Sequence, residues 1–292
     1  MEPGLASIPV WAWFTPTTLL AVGLVGLAYR WITYGPGLQR WPDAVLPTRR
    51  QALFFSGALL ALYLSLGSPV GVLAMGYLFA AHMLQHMLAA LVVPPLLIFG
   101  VPEWMWRRFL RLPGVAAGWR WMTRPLMAIL VFNIVFGLMV APPVITAMVR
   151  SMPIMVGLHL LLVVVGLFMW WPLLSPLPEW PRLHPGIRLL YLFLDGLPMI
   201  LPLAIVALDT SPLYAAAYGA APRVWGLSLV GDQQMGAILC LVGVHVAFGW
   251  LALGWFRQWA DREHQRDVRT ALGIDGLPVP VGDGEIRAVR PG

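Results

Sequence analysis

Lysine is absent from this chain, and all 19 of its basic residues are arginines. A seven-helix retinal protein requires a lysine for its Schiff base, so that class of protein is excluded. Cysteine occurs once, as Cys240, which rules out a disulfide or a Cys-x-x-Cys metal site within the chain. Charged residues make up 11% of the sequence, compared with about 25% in soluble domains. Since 59% of the residues are hydrophobic, the chain is predicted to be a polytopic protein of a lipid bilayer.

Seven apolar runs are long enough to cross a bilayer as helices. They predict an all-α fold, a seven-transmembrane helix bundle in residues 1–256. The first run lacks a basic flank and a cleavage site, so we expect a retained helix and not a signal peptide. Residues 257–292 are first charged and then rich in proline and glycine, which predicts a cytoplasmic tail that is partly disordered. The predicted spans are 10–29, 51–68, 73–99, 125–144, 153–174, 187–208 and 232–256.

The arginines lie in short loops beside apolar runs, where they orient a membrane protein and do not indicate nucleic-acid binding. Most of them follow the first, third, fifth and seventh predicted spans, whereas the opposite loops hold only Arg150 and Arg223. Positively charged loops remain in the cytoplasm. The sequence therefore predicts an outside N-terminus and a cytoplasmic C-terminus.

Two histidines lie in the apolar run from Met75 to Gly100. His82 and His86 are four residues apart, which places both imidazoles on one face of a helix. Met75 precedes His82 by seven residues and is expected on the same face. Histidines inside a bilayer are costly and mark functional sites, although a pair of hydrogen-bonded core histidines is the simpler interpretation. Imidazole and thioether together favour a soft or borderline metal ion, above all copper.

A second face of this kind is predicted in the fifth span, where Met155 precedes His159 by four residues. The sixth span holds Asp195 beside two prolines, with Met199 one turn away. Because these groups are too costly to face lipid, we expect them to converge inside the bundle. Thioethers are soft ligands, so the hypothesis is a site for copper in the Cu(I) state. Its candidate ligands are His82, His86, His159, Met155, Asp195 and Met75.

The seventh span carries three further polar groups. Asp232 is expected to cap the start of its own helix. Cys240 lies within about 80° of Asp232 around the helix, so the question of whether its thiolate is a metal ligand stays open. His245 lies on nearly the opposite face, and we expect it to be structural.

Six short motifs resemble the Caa3_CtaG family, the seven-helix cytochrome c oxidase assembly proteins of bacteria. The resemblance covers roughly residues 50–256. It implies a multi-pass protein of the bacterial plasma membrane that helps to mature a caa3-type oxidase. It further implies contact with oxidase subunits and the handling of copper for their metal centres. By their positions in the motifs, His82, His86 and His159 are the residues to which the resemblance assigns this role. The motifs are HMLQHM (82–87), VPPLL (93–97), GVP (100–102), WWP (170–172), SPLY (211–214) and DQQMG (232–236).

Two positions depart from the family pattern. Members have Trp-His-x-Pro near the end of the fourth span, whereas residues 138–143 of this chain contain no histidine. The Met-Trp after the Asp-Gln motif is replaced by Cys240 and Leu241. If the missing residues are ligands elsewhere in the family, this chain has a different ligand set.

Two other functions are consistent with the sequence. A b-type haem protein would pair His82 or His86 with His159 or His245 across the macrocycle. A small proton or metal transporter would use Asp195 in the proline-broken sixth span, although no internal repeat supports this. No catalytic constellation is present, so an enzyme is not expected.

Overall fold

The computed structural model describes residues 13–271, and these residues form helices without any strand. The predicted all-α class is thereby confirmed. One short π-helical segment, Leu88–Val92, joins the fifth helix to the sixth. The α-helices in chain order are α1 Pro16–Tyr34, α2 Pro36–Gln39, α3 Arg49–Leu66, α4 Pro69–Gly76, α5 Phe79–Met87, α6 Val93–Gly100, α7 Glu103–Leu110, α8 Val115–Met122, α9 Pro125–Val140, α10 Pro142–Arg150, α11 Met152–Leu174, α12 Pro185–Leu208, α13 Ala215–Tyr218 and α14 Leu229–Ala271.

Five helical stretches between residues 13 and 271 are long and apolar enough to cross a membrane. The pair α8 and α9 forms a sixth if the two helices, bent by 83° against each other, count as one span. Helix α1 has 19 residues and is not among these stretches. Seven spans with an outside N-terminus and a cytoplasmic C-terminus therefore stay a prediction. The five are Arg49–Gly76, Phe79–Gly100, Met152–Leu174, Pro185–Leu208 and Leu229–Arg257.

The last helix continues well past the predicted end of the bundle at residue 256. Helix α14 has 43 residues and reaches Ala271 without a break. Residues 272–292, for which the sequence predicts disorder, lie outside the described part of the chain. The division at 256/257 is therefore not a helix boundary.

The predicted third span, 73–99, is divided in two. Helix α4 ends at Gly76, Leu78 is extended with φ −133° and ψ 124°, and α5 begins at Phe79. The amide of Leu78 bonds the carbonyl of Leu73 at 2.8 Å, which closes α4. The prediction that Met75 shares a helix face with His82 is wrong for this reason.

Helix α5 lies among several others in the bundle. Helix α14 packs along both α12 and α5, α4 contacts α5, and α11 packs against the π-helical segment and α6. The approach of α14 to α5 is unusually close. A Cβ on Gly236 would lie 2.7 Å from Cδ1 of Phe79 and 2.9 Å from Cα of Ala80, so this contact requires glycine.

Candidate metal centre

Helix α5 receives its N-terminal cap from a residue far away in the sequence. Its own N-cap position is Leu78, which has no side-chain acceptor to offer. The buried carboxylate of Asp232 accepts hydrogen bonds from the backbone amides of Phe79, at 2.8 Å, and Ala80, at 3.0 Å. Asp232 is therefore a cap, but for α5 and not for its own helix as the sequence predicted. This contact fixes the turn that immediately precedes His82.

The other end of α5 widens into the π-helical segment two residues after His86. Pro94 has no amide proton for the carbonyl of Ala90, four residues earlier. Nε1 of Trp170 on α11 donates to that carbonyl at 3.1 Å instead. A backbone acceptor freed inside a membrane protein must find another donor, so this bond also holds α11 against the segment.

His82, His86 and His159 meet inside the bundle, and none of the three is exposed. Their ring centroids lie 4.7 Å apart for His82 and His86, 5.1 Å for His86 and His159, and 5.6 Å for His82 and His159. One nitrogen from each ring lies within 4.8 Å of the other two. The predicted convergence of the three histidines is confirmed. Among the side chains described, no other set of histidine, cysteine and carboxylate groups is placed in this way.

The tautomer of His82 is set by Tyr218, which lies outside the predicted and observed spans. Burial, with a smaller contribution from Asp232, raises the pKa of Tyr218 well above its ordinary value, so the hydroxyl keeps its proton. That proton is donated to the carbonyl of Ala74 at 2.8 Å. The hydroxyl oxygen therefore accepts from Nδ1 of His82, at 3.2 Å, and the proton of His82 lies on Nδ1. Nε2 of His82 keeps its lone pair and has no hydrogen-bond partner.

His159 is fixed in the same tautomer. A carbonyl oxygen only accepts, so the 2.8 Å contact between Nδ1 of His159 and the carbonyl of Met155 places the proton on Nδ1. Nε2 of His159 is buried without a partner, and so are both ring nitrogens of His86. Each ring therefore offers an unused nitrogen. Orientation of a ligating histidine through its other nitrogen is the usual arrangement around protein-bound metals.

The three imidazoles fit a single metal ion. Imidazole nitrogens bind such ions at about 2.0–2.1 Å, which places three of them about 3.5 Å apart in a trigonal arrangement. The nitrogens here lie within 4.8 Å of one another, so closure by about 1.3 Å at most would bring them to bonding distance. Buried nitrogens without partners are costly in a protein interior, and a bound ion would remove that cost.

Of the remaining predicted ligands, Asp195 and Met75 lie apart from the three histidines, whereas Met155 lies beside them. Met155 is buried one turn before His159, and its backbone carbonyl accepts the hydrogen bond from that ring, while its thioether as a ligand stays a prediction. Asp195 is buried and accepts a hydrogen bond from Nδ2 of Asn133 at 3.0 Å, outside the group of closely spaced ligand atoms. Met75 lies in α4, before the helix break.

Cys240, which the sequence left open as a ligand, and His245, which was expected to be structural, are also outside the histidine cluster. Cys240 is a buried free thiol that does not belong to the group of closely spaced ligand atoms. His245 is exposed on the surface of α14 and donates from Nδ1 to the carbonyl of Leu241 at 2.6 Å.

Sequence reasoning missed Tyr218 and misassigned Asp232, the two polar residues that fix the geometry around His82. Both belong to segments that connect or begin helices, where a tyrosine or an aspartate is unremarkable by itself. The one available signal was the DQQ triplet at 232–234. The second residue of this triplet also makes a long-range contact. Oε1 of Gln233 accepts a hydrogen bond from the amide of Leu213 at 2.9 Å, which ties the loop after α12 to α14.

The fold and the histidine cluster define a class of protein: a multi-pass helical membrane protein with a candidate metal centre buried inside its bundle. Residues 27–262 match the family model described as cytochrome c oxidase caa3 assembly factor (Caa3_CtaG). The chain belongs to this family, and the resemblance seen in its motifs is confirmed. No curated protein and no solved structure matches the chain. A protein of this family associates with oxidase components and sits in a membrane.

Proposed function

We propose that His82, His86 and His159 bind one copper ion, and that the protein handles this copper during maturation of a caa3-type oxidase. The observation that carries the proposal is the meeting of three buried imidazoles, which have one nitrogen each within 4.8 Å of the other two. Each of the three rings also has at least one nitrogen without a hydrogen-bond partner. Membership of an oxidase assembly family supplies the biological context. We further propose that the protein acts in the bacterial plasma membrane, in contact with oxidase subunits.

The chemistry of the cluster favours Cu(I). Neutral imidazoles bind copper in either oxidation state, and also zinc. The cluster itself contains no carboxylate or thiolate to offset a positive charge. The cost of burying an ion rises with the square of its charge, so a monovalent ion is tolerated there better than a divalent one.

The same geometry disfavours the haem alternative. A haem iron takes its axial ligands from opposite sides of the macrocycle. The ring of His159 lies 5.1 Å from that of His86 and 5.6 Å from that of His82, centroid to centroid. Rings that contact one another leave no space for a macrocycle between them. A bare ion is therefore a better occupant than a haem held between His159 and either of the other two rings, and the exposed His245 lies outside the cluster.

Metal analysis of the purified protein tests the proposal. The wild type, loaded with Cu(I) and washed against a competing chelator, should retain about one copper per chain, because the three ligands define one site. The His82→Ala/His86→Ala variant should retain at least ~10-fold less. His245→Ala is the matched control, since it removes an exposed histidine from the span Leu229–Arg257 without touching the cluster.

Equal copper in the wild type and the double variant would refute copper binding by the cluster. Retention of zinc in preference to copper would refute the choice of metal. In cells, the double variant should remain in the membrane while the amount of assembled oxidase falls. Normal oxidase activity in cells that carry the double variant would show that oxidase assembly does not require the histidine cluster.

A further inference from the structure

A cavity of about 550 Å³ opens at one end of the bundle, and none of the three histidines lines it. The end of α1, helix α2 and helix α7 form its walls. It lies where α6 ends, because the hydroxyl of Tyr29 on α1 donates to the carbonyl of Gly100 at 3.0 Å. The span Arg49–Gly76 begins at the same level, since Gly100 packs on the backbone of Phe55. Three apolar helices therefore begin or end at this level of the bundle.

Two arginines in this cavity have no acidic partner among the described residues. Arg40 forms no ion pair, and the guanidinium of Arg108 lies 3.1 Å from the centroid of the Trp41 ring, which leaves its N–H groups available. The neighbouring arginines differ. Arg107 pairs with Glu179 at 2.8 Å, and Arg111 lies 3.7 Å from Asp43. The cavity therefore presents two uncompensated positive charges.

The walls of the cavity are held by specific contacts. Nε1 of Trp104 donates to the carbonyl of Val45 at 3.1 Å, which ties α7 to the segment after α2. Indole rings at the boundary of a membrane anchor the protein at the level of the lipid headgroups. Trp31, Trp41 and Trp104 all line this cavity. It is thus an indole-rimmed basic pocket at headgroup level.

An apolar surface leads away from the pocket along α1. Leu20, Leu24 and Leu27 are spaced four and three residues apart and are 65%, 57% and 63% exposed. This spacing places them on one helix face. Trp31 continues that face into the pocket, and it also lines an adjoining hollow of about 410 Å³ with Leu27 and Arg30. A ligand in the pocket could extend acyl chains along this face.

We propose that this pocket binds an anionic phospholipid, with the phosphate between Arg40 and Arg108 and an acyl chain along the exposed leucines of α1. Guanidinium groups form short, charge-assisted hydrogen bonds with phosphate oxygens. Basic pockets between membrane helices are suited to anionic headgroups, and each arginine near the surface contributes attraction to anionic lipid. The exposed leucines favour a lipid over a free phosphate ion, because only a lipid has acyl chains that can pack on them. This inference is independent of copper binding.

Native mass spectrometry of the full-length, delipidated protein tests the proposal, with short-chain phosphatidylglycerol as the probe. Arg40→Gln/Arg108→Gln should weaken binding ~30-fold, which corresponds to ~2 kcal/mol for two arginines. Arg124→Gln/Arg257→Gln is the matched control, because it removes two exposed arginines outside the pocket. The control should change affinity by less than about twofold, since distant charges are screened. Arg40→Lys/Arg108→Lys keeps both charges and should retain most of the affinity.

An unchanged midpoint of unfolding, followed by tryptophan fluorescence, and a monodisperse elution profile establish that the glutamine variant is folded. If that variant does not fold, the single change Arg108→Gln should still weaken binding about fivefold. Equal loss in the control, or equal affinity for phosphatidylcholine of the same chain length, would overturn the proposal. Inorganic phosphate that binds alone, or that displaces the lipid completely at equal concentration, would show a free-anion site and would also overturn it.

Discussion

The cap on α5 leads to a quantitative prediction for the change Asp232→Ala. The carboxylate of Asp232 accepts from two buried backbone amides, at 2.8 and 3.0 Å. Removal of the side chain leaves both amides without an acceptor. It also removes a negative charge from the N-terminus of α5, where the helix dipole favours one. We expect the first turn of α5 to open and to displace His82.

The expected loss of stability follows from the two bonds. A buried donor that loses its partner costs about 1–3 kcal/mol. Two such amides give about 2–6 kcal/mol, and partial entry of water into the vacated space places the expected value at ~2–4 kcal/mol. Asp232→Asn keeps one acceptor oxygen and should lose about half as much.

Unfolding of the purified protein in detergent, followed by tryptophan fluorescence, measures the effect, with copper retention as a second readout. Asp209→Ala is the control. Asp209 is a partly exposed aspartate whose carboxylate bonds only Ser211, within a turn, so its loss should cost about 0.5 kcal/mol or less. If Asp232→Ala destabilises the protein no more than Asp209→Ala does, the cap does not stabilise α5 and this reasoning is wrong.

Three further predictions follow from the site and from the sequence. Tyr218→Phe should lower copper affinity ~10–100-fold by releasing the tautomer of His82, whereas an unchanged affinity would contradict a positioning role. Cys240→Ser should leave copper retention unchanged, because the thiol lies outside the cluster, and a loss equal to that of the histidine variant would make it a ligand. A reporter active only in the cytoplasm should give signal when fused after Trp259 and none after Tyr218, and the reverse result would exclude the predicted orientation.

The local chemistry of the chain was sufficient to predict its all-α class and the presence of several membrane-length helices. Long apolar runs interrupted by proline, glycine and arginine predict helices in a membrane, because a backbone in lipid must satisfy its own hydrogen bonds. The i, i+4 spacing of His82 and His86 predicts a shared face from helix geometry alone. The cost of placing His159 in lipid predicts that it turns inward toward them. These inferences needed no knowledge of which helices are neighbours.

The tertiary structure decided everything that depends on partners distant in sequence. Asp232 and Phe79 are 153 residues apart, and Tyr218 and His82 are 136 apart, so no local pattern relates either pair. The helix break before Phe79, which removes Met75 from the face of His82, exists because a distant carboxylate serves the new helix start. Asp195 likewise bonds Asn133 on another helix instead of joining the histidines. Helical periodicity determines which side chains share a face, whereas the packing of the bundle determines what that face meets.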